Sequence, residues 1–483
     1  MICISILLSV LVYISCAIGI TNMISKLIIF TKSKQLRGNA KSESTLRYAG
    51  YIPRVAIHLA ICNENPEVVL QTLDSLNKID YSNFIVMVVD NNTNDRALWC
   101  PIKEYCLEHK ELFVFHHIEN MKGFKSGALN YAIENTPEDV EIVAIVDSDN
   151  IVDKGFLQEC IPFFKNDDIA FVQTPLGYTI TKNNPFDSWV NLYYQYFMYT
   201  YMPYADKYNC PLFTGCMGLI RVSALKQVGG WNGKYLTEDM EVSYRLFANG
   251  FKSKFVNKVY GHSNLPFDFY GFRKQNFRWS FGNAQVLRDY FFSFFCKKWS
   301  TKCSVLSKFI YAAGVAIYTN YFYFAIILLL ALNSFSSYFF LTNYSFFLNA
   351  TILLAYLLEF IGELYILSSI GIERKASKRD ICRNFLSWWS LRINHCAANY
   401  LALFTNKIKF NVTSKVRSKE KIPRYYIGIT IITTLVLIGL SVISIIQNHY
   451  NMFITCLVIS LSSLFSTFAA VRMSLMRSNQ VSE

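Results

Sequence analysis

The stretch IVAIVDSD at residues 142–149, in which an apolar run ends in two aspartates one residue apart, decides the fold. Similar short runs rich in Val and Ile occur at residues 55–61 and 84–89, and the segments at 67–77 and 127–134 have helical periodicity. Strands that alternate with helices are typical of an α/β domain with a mainly parallel sheet. Ligands of such sheets bind beyond the carboxyl ends of the strands. The polar residues that follow these strands are therefore candidate site residues.

Each of the three predicted strands is followed by polar side chains. Asn63 and Glu64 follow the first strand, Asp90 the second, and Asp147 and Asp149 the third. Two carboxylates in an extended turn can approach one hard divalent cation such as Mg²⁺ or Mn²⁺, which would bridge the phosphates of a nucleotide. A solvated acidic turn is the alternative, but such a turn would not need the apolar strand before it. The sequence predicts a metal site at the two aspartates and a nucleotide site along this edge of the sheet.

Two further residues are candidates for nucleotide binding. Lys125 stands in KGFKSGALN at residues 122–130, where cations and glycines precede a predicted helix. This arrangement suits a diphosphate, because the N-terminus of a helix presents free N–H groups. An ordinary glycine-rich loop is the alternative. Asp90 could accept hydrogen bonds from a nucleobase, or it could form an Asx turn or cap a helix.

The segment Thr237-Glu238-Asp239 supplies the candidate general base. A hydroxyl is a poor nucleophile, and a carboxylate held in a dry pocket can take its proton as it attacks. We assign this role to Asp239 and include Glu238 in the catalytic pair. The same residues also fit a helix start, with Thr237 as the N-cap and acidic residues in the first turn. The two roles are compatible.

Gln275, Arg278 and Trp279 are predicted to lie on adjacent turns of one helix. Trp279 could stack on a sugar ring, and Arg278 could hold a diphosphate. The alternative is an interfacial helix with the Trp and Arg residues that are common at membrane boundaries. The aromatic runs at residues 267–272 and 290–295 favour a position of this helix at a membrane surface.

Composition and hydropathy indicate a membrane protein. The chain has 483 residues, is 52% hydrophobic and carries a formal net charge of +13. Runs long enough to cross about 30 Å of hydrocarbon occur at residues 1–30, 304–332, 345–370, 425–446 and 452–471. The connections at 333–344 and 447–451 lack Lys and Arg, whereas 371–424 is rich in both. By the positive-inside rule we expect five spans, with the N-terminus outside and the large insert in the cytoplasm.

Charge and cysteine patterns argue against other classes of protein. The basic residues follow the membrane boundary rather than a groove with interleaved aromatic residues, so nucleic-acid binding is not expected. Thirteen cysteines are scattered singly without close Cys or His companions. Neither a zinc site nor a disulfide framework is predicted, and reduced thiols are expected.

Two acidic residues stand inside a predicted span. Glu359 and Glu363 are four residues apart and would share one face of the helix. Carboxylates are costly in lipid, so we expect them to face a tunnel or a protein partner. Pairing with a basic group at the membrane boundary is the alternative.

Taken in this order, the residues resemble the processive family-2 glycosyltransferases with a GT-A fold, which include cellulose, β-glucan, hyaluronan and poly-N-acetylglucosamine synthases. The resemblance covers about residues 53–424. It implies that Asp90 contacts uracil and that Asp239 is the base. It also implies that Asp147 and Asp149 serve the nucleotide and the metal. The residues at 275–279 match the family's QxxRW motif, which binds acceptor and diphosphate.

Two more stretches match this family. FNVTSK looks like the FxVTxK gating loop of bacterial cellulose-synthase-like enzymes, and it contains Thr413 and Lys415. The resemblance implies that these two side chains approach the nucleotide phosphates when the loop closes and expels water. A basic juxtamembrane linker is the alternative. LFTG stands where cellulose synthases have FFCG at the acceptor entrance, so its Thr214 and Gly215 are acceptor-binding candidates.

Two details of the sequence indicate which branch of this family the chain resembles. Only one span precedes the catalytic domain, against several in cellulose synthases. Three segments look closer to bacterial β-1,3-glucan synthases than to cellulose synthase. They are NTND at 92–95, GFKSGALN at 123–130 and RWSFG at 278–282.

The expected fold is a GT-A-type α/β nucleotide-sugar transferase domain inserted in an α-helical multi-span membrane domain. The expected boundaries are a first transmembrane helix at 1–30, a cytosolic linker at 31–52, the GT-A domain at 53–265, interfacial helices with QxxRW at 266–300, transmembrane helices 2 and 3 at 304–370, a cytosolic amphipathic helix and gating loop at 371–424, transmembrane helices 4 and 5 at 425–471, and a cytosolic tail at 472–483.

The resemblance implies an inverting, processive transferase in the plasma membrane that moves glucose from UDP-glucose onto an exported β-glucan, as an exopolysaccharide or capsule. Mg²⁺ or Mn²⁺ is the expected cofactor. The expected partners are the UDP-sugar, the growing polysaccharide, the bilayer, and accessory export proteins or a second copy of the chain. Alternatives are a hyaluronan-type or poly-N-acetylglucosamine-type synthase and a non-processive transferase acting on a lipid. A transporter or channel that only binds nucleotide would not need the base and the QxxRW residues.

Overall fold

The computed structural model describes residues 2–39, 50–181, 184–295, 304–316, 344–406, 424–446 and 450–473. The predicted gating loop with Thr413 and Lys415 lies outside these ranges, as does most of the predicted second span. Free thiols are found at Cys16, Cys62, Cys100, Cys106, Cys160, Cys210, Cys216, Cys382, Cys396 and Cys456.

The strands, in chain order, are β1 (Arg54–Ile61), β2 (Phe84–Asn91), β3 (Phe113–Ile118), β4 (Val140–Val146), β5 (Ile151–Val152), β6 (Ile169–Gln173), β7 (Gly177–Tyr178), β8 (Gly218–Arg221), β9 (Lys252–Phe255) and β10 (Gly261–Ser263). The helices are α1 (Ile2–Asn39), α2 (Pro66–Leu76), α3 (Arg96–Glu108), α4 (Phe124–Glu134), α5 (Phe156–Cys160), α6 (Pro185–Tyr196), α7 (Met202–Asp206), α8 (Val222–Gln227), α9 (Glu238–Ala248), α10 (Phe269–Phe295), α11 (Val305–Val315), α12 (Tyr344–Glu373), α13 (Lys378–Ser390), α14 (Arg392–Phe404), α15 (Arg424–Ile446) and α16 (Tyr450–Met473).

Seven strands form one mixed sheet in the order β3-β2-β1-β4-β8-β6-β9. The strands from β3 to β4 run parallel, and Ile57 of the central β1 pairs with Val86 of β2 and Ala144 of β4. Strand β8 runs antiparallel to its neighbours β4 and β6. The predicted α/β domain with a mainly parallel sheet is confirmed. Because β1, β2 and β4 are parallel, the polar residues after them lie along one edge.

Alternation of apolar side chains explains why helices cover both faces of this sheet. Val55 and Ile57 of β1 pack in one apolar cluster with Val69 of α2, whereas Ala56 belongs to the cluster on the other face with Leu129 of α4. Strands that are buried on both faces are apolar along their whole length. The continuous apolar runs in the sequence therefore correspond to the central strands.

The long helix α10 connects the α/β domain to the C-terminal helices. The guanidinium of Arg273 donates to Asn394 Oδ1 at 3.0 Å, and Asn394 Nδ2 donates to the backbone oxygen of Arg273 at 3.1 Å. About two helical turns further along, Ser280 Oγ donates to Asn399 Oδ1 at 2.8 Å. The predicted amphipathic stretch forms two helices, α13 and α14, that meet at Leu391. Of these, α14 packs along α10.

Apolar helices form the remainder of the described chain. By length and composition, Tyr13–Leu36 in α1 and Asn349–Glu373 in α12 could cross a membrane. Shorter apolar stretches occupy Val305–Val315, Thr434–Ile446 and Met452–Phe465. The pairs α1 with α12, α12 with α16, and α15 with α16 pack together, and these helices expose many Ile, Leu and Phe side chains on their outer faces. Soluble monomers rarely expose apolar patches of this extent.

Glu359 and Glu363 of α12 pair with basic groups. Arg392 Nη2 lies 3.1 Å from a carboxylate oxygen of each glutamate, and Lys26 Nζ of α1 lies 3.3 Å from Glu363 Oε1. The guanidinium of Arg392 also lies 3.6 Å from the ring centroid of Trp389. Among the described residues, the two glutamates thus have the alternative arrangement, in which they pair with basic groups.

Gly282 allows α10 to approach the start of α9. A Cβ atom at this position would lie 2.7 Å from Thr237 Oγ1 and 2.8 Å from the Thr237 backbone nitrogen. Real Cβ atoms do not approach a backbone atom so closely, so a side chain here would push the two helices apart. The position of α9, which carries the candidate base, therefore depends on this glycine.

We expect Gly282→Ala to lower the free energy of unfolding by about 1–3 kcal/mol, because the added methyl group overpacks the contact with Thr237. Thermal unfolding of the purified protein measures this loss. Gly439→Ala in α15 is the matched control, since no heavy atom lies within 4 Å of its Cβ position. Replacing a helical glycine by alanine there should stabilise by about 0.5–1 kcal/mol. Equal effects of the two substitutions would contradict the proposed close contact.

Candidate active site

A cavity of about 210 Å³ lies at the carboxyl edge of β4, between α9 and α10. Nine of the residues predicted from the sequence line its wall. They are Lys125, Asp147, Thr214, Gly215, Glu238, Asp239, Gln275, Arg278 and Trp279. The candidate base therefore shares one cavity with the candidate diphosphate and acceptor residues.

Asp239 is the second residue of α9, and its side chain reaches the cavity. Its Oδ1 accepts a hydrogen bond from the N–H of Met240 at 2.8 Å. Thr237 occupies the N-cap position as expected, but its hydroxyl makes no capping hydrogen bond. The predicted helix start is thus confirmed, without a cap from the threonine side chain.

The loop before β8 lies directly against this carboxylate. Gly215 has a φ of +79°, and a Cβ there would lie 2.8 Å from Asp239 Oδ2. A side chain at this position would be strained by its backbone conformation and would displace the candidate base. The glycine thus lets the backbone of the loop form one side of the cavity.

Lys125 links three elements at the centre of the site. It lies in the first turn of α4, and its Nζ lies 2.5 Å from Asp147 Oδ1. The same ammonium donates to the backbone oxygen of Gly215 at 2.9 Å. These contacts join the helix start, the end of β4 and the loop beside the base.

Burial and neighbouring charges shift the titration of these groups. Burial, together with the negative charge of Glu238, raises the pKa of Asp239 to about 7, and burial also raises the pKa of Glu238. Burial alone would lower the pKa of Lys125, but Asp147 and Glu238 raise it above its ordinary value. Burial lowers the pKa of Arg278, against the effect of the nearby carboxylates. Near neutral pH, Asp239 therefore exchanges a proton easily while Lys125 stays cationic.

The two aspartates of the predicted metal site differ in exposure. The side chain of Asp147 is 38% exposed, whereas Asp149 is 3% exposed. Asp149 Oδ2 accepts hydrogen bonds from Ser263 Oγ and from the N–H of Asn264, at 2.9 Å for the latter. In the described part of the chain, no three His, Cys, Asp or Glu side chains form a metal-binding cluster. Protein sites for Mg²⁺ often supply one or two carboxylates and leave the other positions to water and substrate phosphates. The donor set fits a cation of that kind, with Asp147 at the cavity.

An aromatic wall forms another side of the cavity. Gln275 Oε1 accepts a hydrogen bond from the hydroxyl of Tyr194, and the ring of Tyr194 meets the ring of Trp279 edge to face at 5.6 Å. Tyr194 also stacks on Tyr178 with a centroid distance of 4.8 Å. Both tyrosines line the cavity, and neither belongs to a motif found in the sequence. The one feature of the sequence that could have pointed to Tyr194 is the high number of aromatic residues in α6.

The candidate nucleobase site lies apart from the cavity wall. Asp90 is 1% exposed and accepts hydrogen bonds from Thr93 Oγ1 and His117 Nδ1, each at 2.6 Å. Burial raises the pKa of Asp90, against the effect of these hydrogen bonds. The N–H of Asn63 donates to Thr93 Oγ1 at 2.9 Å, so the ends of β1 and β2 are tied together. Neither these residues nor Glu64 line the cavity.

Comparisons with known proteins agree with this geometry. The family model described as "Glycosyl transferase family group 2" matches residues 142–361, which include Asp147, Asp239 and the QxxRW segment. The structure of the Pyrobaculum calidifontis mannosyltransferase PcManGT in complex with GDP-Man and Mn²⁺ has a TM-score of 0.55 and 16% identity to this chain. It covers 82% of this chain, and 99% of its own length is matched. This similarity supports a GT-A-like fold.

Two curated relatives are plant proteins named as mannosyltransferases. "Glucomannan 4-beta-mannosyltransferase 1" of Oryza sativa subsp. japonica is 31% identical over 245 residues, which is 49% of this chain and 46% of the relative. "Probable glucomannan 4-beta-mannosyltransferase 15" of Arabidopsis thaliana is 27% identical over 288 residues, which is 57% of this chain and 53% of the relative. The chain thus spans about half the length of these relatives. Residues 142–361 thus match a family-2 glycosyltransferase domain, and about half of the chain is homologous to the glucomannan mannosyltransferases.

Proposed function

We propose that this protein is an inverting hexosyltransferase that lengthens a β-linked polysaccharide at a membrane. It transfers a hexose from a nucleoside diphosphate donor to a hydroxyl of the growing chain. The observation that carries the proposal is the carboxyl of Asp239, whose pKa is raised to about 7 in a cavity shared with Lys125, Arg278 and Trp279. The match of residues 142–361 to the family-2 glycosyltransferase model supports the transfer from a nucleotide sugar.

The base and the acceptor site act together. Trp279 presents an aromatic face on which a terminal sugar can stack, and Gln275 is held in place by Tyr194. A hydroxyl of that sugar lies within reach of Asp239, which removes its proton as the oxygen attacks the anomeric carbon. The attack comes opposite the departing diphosphate in one displacement, so an α-linked donor yields a β-linked product. The printed names of the plant relatives, 4-beta-mannosyltransferases, support a β product.

Positive groups around the cavity stabilise the leaving nucleoside diphosphate. Lys125 is cationic and lies beside Asp147, and Arg278 faces the same space from α10. Both can hold phosphate oxygens on which negative charge develops. A Mg²⁺ or Mn²⁺ ion held by Asp147 and Asp149 would neutralise part of that charge when bound. Thr413 and Lys415 are proposed to close over the phosphates, by resemblance to the gating loop.

Insertion of the apolar helices in a membrane supports the export of a polymer. The outer faces of α1, α12, α15 and α16 expose apolar side chains, as helices do when lipid surrounds them. The basic residues of segment 371–424 favour a cytoplasmic position for this segment and for the catalytic domain at the plasma membrane. The product would leave between the spans, as an exopolysaccharide or capsule.

UDP-glucose is the proposed donor. Asp90 already accepts one hydrogen bond on each carboxylate oxygen, from Thr93 and His117. The resemblance implies that Asp90 contacts uracil, and each of its oxygens keeps one acceptor position that a ring N–H can use. GDP-mannose is the second candidate, because the curated relatives are mannosyltransferases.

Asp239→Asn should lower the rate of hexose transfer by about 10²–10⁴-fold while nucleotide binding is retained, because the amide keeps the shape but cannot take a proton. Incorporation of labelled sugar from nucleotide donors by purified membranes measures the rate. Asp153→Asn, at an exposed carboxylate outside the cavity, is the control and should keep full activity. Persistent synthesis by Asp239→Asn would reject the base and the proposed mechanism.

The transfer rate should depend on pH with an acid limb centred at about 7, the raised pKa of Asp239. Below this pH the carboxyl is protonated and cannot act as base, so activity falls with falling pH and rises as the pH increases through this value. The charge of Glu238 contributes to the raised pKa, so Glu238→Gln should move the acid limb to lower pH. A limb near about 4, the ordinary range of a carboxylate, would contradict the assignment.

Donor preference can be measured with UDP-glucose and GDP-mannose at equal concentration. We expect glucose incorporation to exceed mannose incorporation by at least about tenfold, a typical size for discrimination by one pocket. His117→Ala should reduce this preference, because it removes a hydrogen bond that orients the carboxylate of Asp90. The opposite order of donors would make the protein a mannosyltransferase like its relatives and would overturn the uracil assignment only.

A further inference from the structure

A buried amide lies one helical turn beyond the tryptophan of the acceptor wall. Asn283 is four residues after Trp279 on α10, so the two side chains share one face of the helix. Asn283 is 1% exposed, and it lines the same cavity as Trp279 and Asp239. None of the motifs found in the sequence includes it.

The orientation of this amide is fixed by its neighbour. Asn283 Nδ2 lies 3.0 Å from the backbone oxygen of Val315 at the end of α11. A carbonyl oxygen only accepts hydrogen bonds, so the NH₂ group must be the side that faces α11. The oxygen Oδ1 consequently faces away from α11, and it has no hydrogen-bond partner among the residues that the structure describes. A buried acceptor without a donor is unfavourable, and native proteins rarely retain one without a reason.

A second buried polar group lies on the adjoining element. Thr237 is 5% exposed and lines the cavity, and its Oγ1 likewise has no partner within the described ranges. Gly282, the residue before Asn283, brings α10 into contact with Thr237. The wall behind the candidate base therefore presents an acceptor from Asn283 and a hydroxyl from Thr237, both without partners in the described part of the protein.

We propose that Asn283 is an acceptor-binding residue, whose Oδ1 accepts a hydrogen bond from a hydroxyl of the acceptor saccharide. This inference rests on the proposed function. Four residues of α-helix rise about 6 Å, which is close to the length of one hexose unit, so the hydroxyl belongs to the unit beyond the sugar that stacks on Trp279. Thr237 Oγ1 supplies a second hydrogen bond to the same saccharide. The acceptor is thus recognised as a β-linked oligosaccharide with a free hydroxyl at this point, and not merely as a single sugar.

The test compares two asparagines of the same helix. Asn283→Leu removes the proposed contact at nearly constant volume. Asn276→Leu is the matched control, because Asn276 is fully buried and both ends of its amide are paired inside the protein, with Tyr193 and the backbone oxygen of Phe272. The readout is the fraction of the hexose cleaved from the donor that appears as glycoside rather than as free hexose, measured on full-length protein in membranes with radiolabelled UDP-glucose and GDP-mannose.

Asn283→Leu should lower the ratio of transfer to hydrolysis by about tenfold, which corresponds to about 1.4 kcal/mol, with the rate of donor hydrolysis to free hexose unchanged. Thr237→Val should lower it in the same direction. Asn276→Leu should lower the thermal midpoint at least as much as Asn283→Leu but leave the ratio as in wild type. An unchanged ratio in Asn283→Leu would overturn the proposal and leave a bound water as the partner of Oδ1. A ratio that falls equally in both leucine variants would also overturn it, because general loss of packing would then explain the effect.

The proposed function is tested separately from this inference. Wild-type protein that incorporates no hexose from either donor would reject the transferase activity itself. Incorporation that is lost in Asp239→Asn, together with a wild-type ratio in Asn283→Leu, would retain the enzyme and reject only the role of Asn283.

Discussion

The ammonium group of Lys125 is the contact on which the arrangement of the cavity depends. Three carboxylates, those of Asp147, Glu238 and Asp239, reach this small space from two separate elements. Carboxylates that share a buried site raise one another's pKa, and without a cation they would be protonated or pushed apart. Lys125 binds Asp147 directly and holds the Gly215 backbone that lies against Asp239. One side chain thus sets both the charge of the site and the position of its loop.

Helix α10 determines the other half of the site. Gln275 and Trp279 face the cavity, while Gly282 packs on Thr237 and so sets the distance between the acceptor wall and the base. The helix is also held by Asn394 of α14. The geometry of the candidate site therefore depends on a segment that lies far along the chain from the α/β domain. The parallel strands supply the proposed nucleotide end of the site, and the C-terminal helices support its proposed acceptor end.

The features predicted correctly from the sequence are those that local patterns of residues encode. Apolar runs predicted β1, β2 and β4 because both faces of these strands are buried, and the residue types at their ends predicted Asp90 and Asp147. The partners of Asp90 were missed, since His117 becomes its neighbour only through the parallel pairing of β2 with β3. Asn283 was missed for a related reason: an asparagine within a helix gives no periodic signal, and its significance depends on a cavity that several elements enclose. The same limit applies to Glu359 and Glu363, whose shared face on α12 follows from their spacing but whose cationic partners come from other helices.

These two glutamates and their partners also explain how the apolar helices are coupled to the candidate active site. Two cations and two anions cancel, but removing them from water offsets most of the attraction, so the group adds specificity of position more than stability. The group fixes α1 and α12 against Arg392 at the start of α14. In the same first turn of α14, Asn394 binds the backbone and side chain of Arg273 on α10. A displacement of α12 relative to α1 would therefore strain either the ion pairs of Glu359 and Glu363 or the hydrogen bonds between α14 and α10. Through α10, that strain would reach Trp279, which lines the cavity with the candidate base.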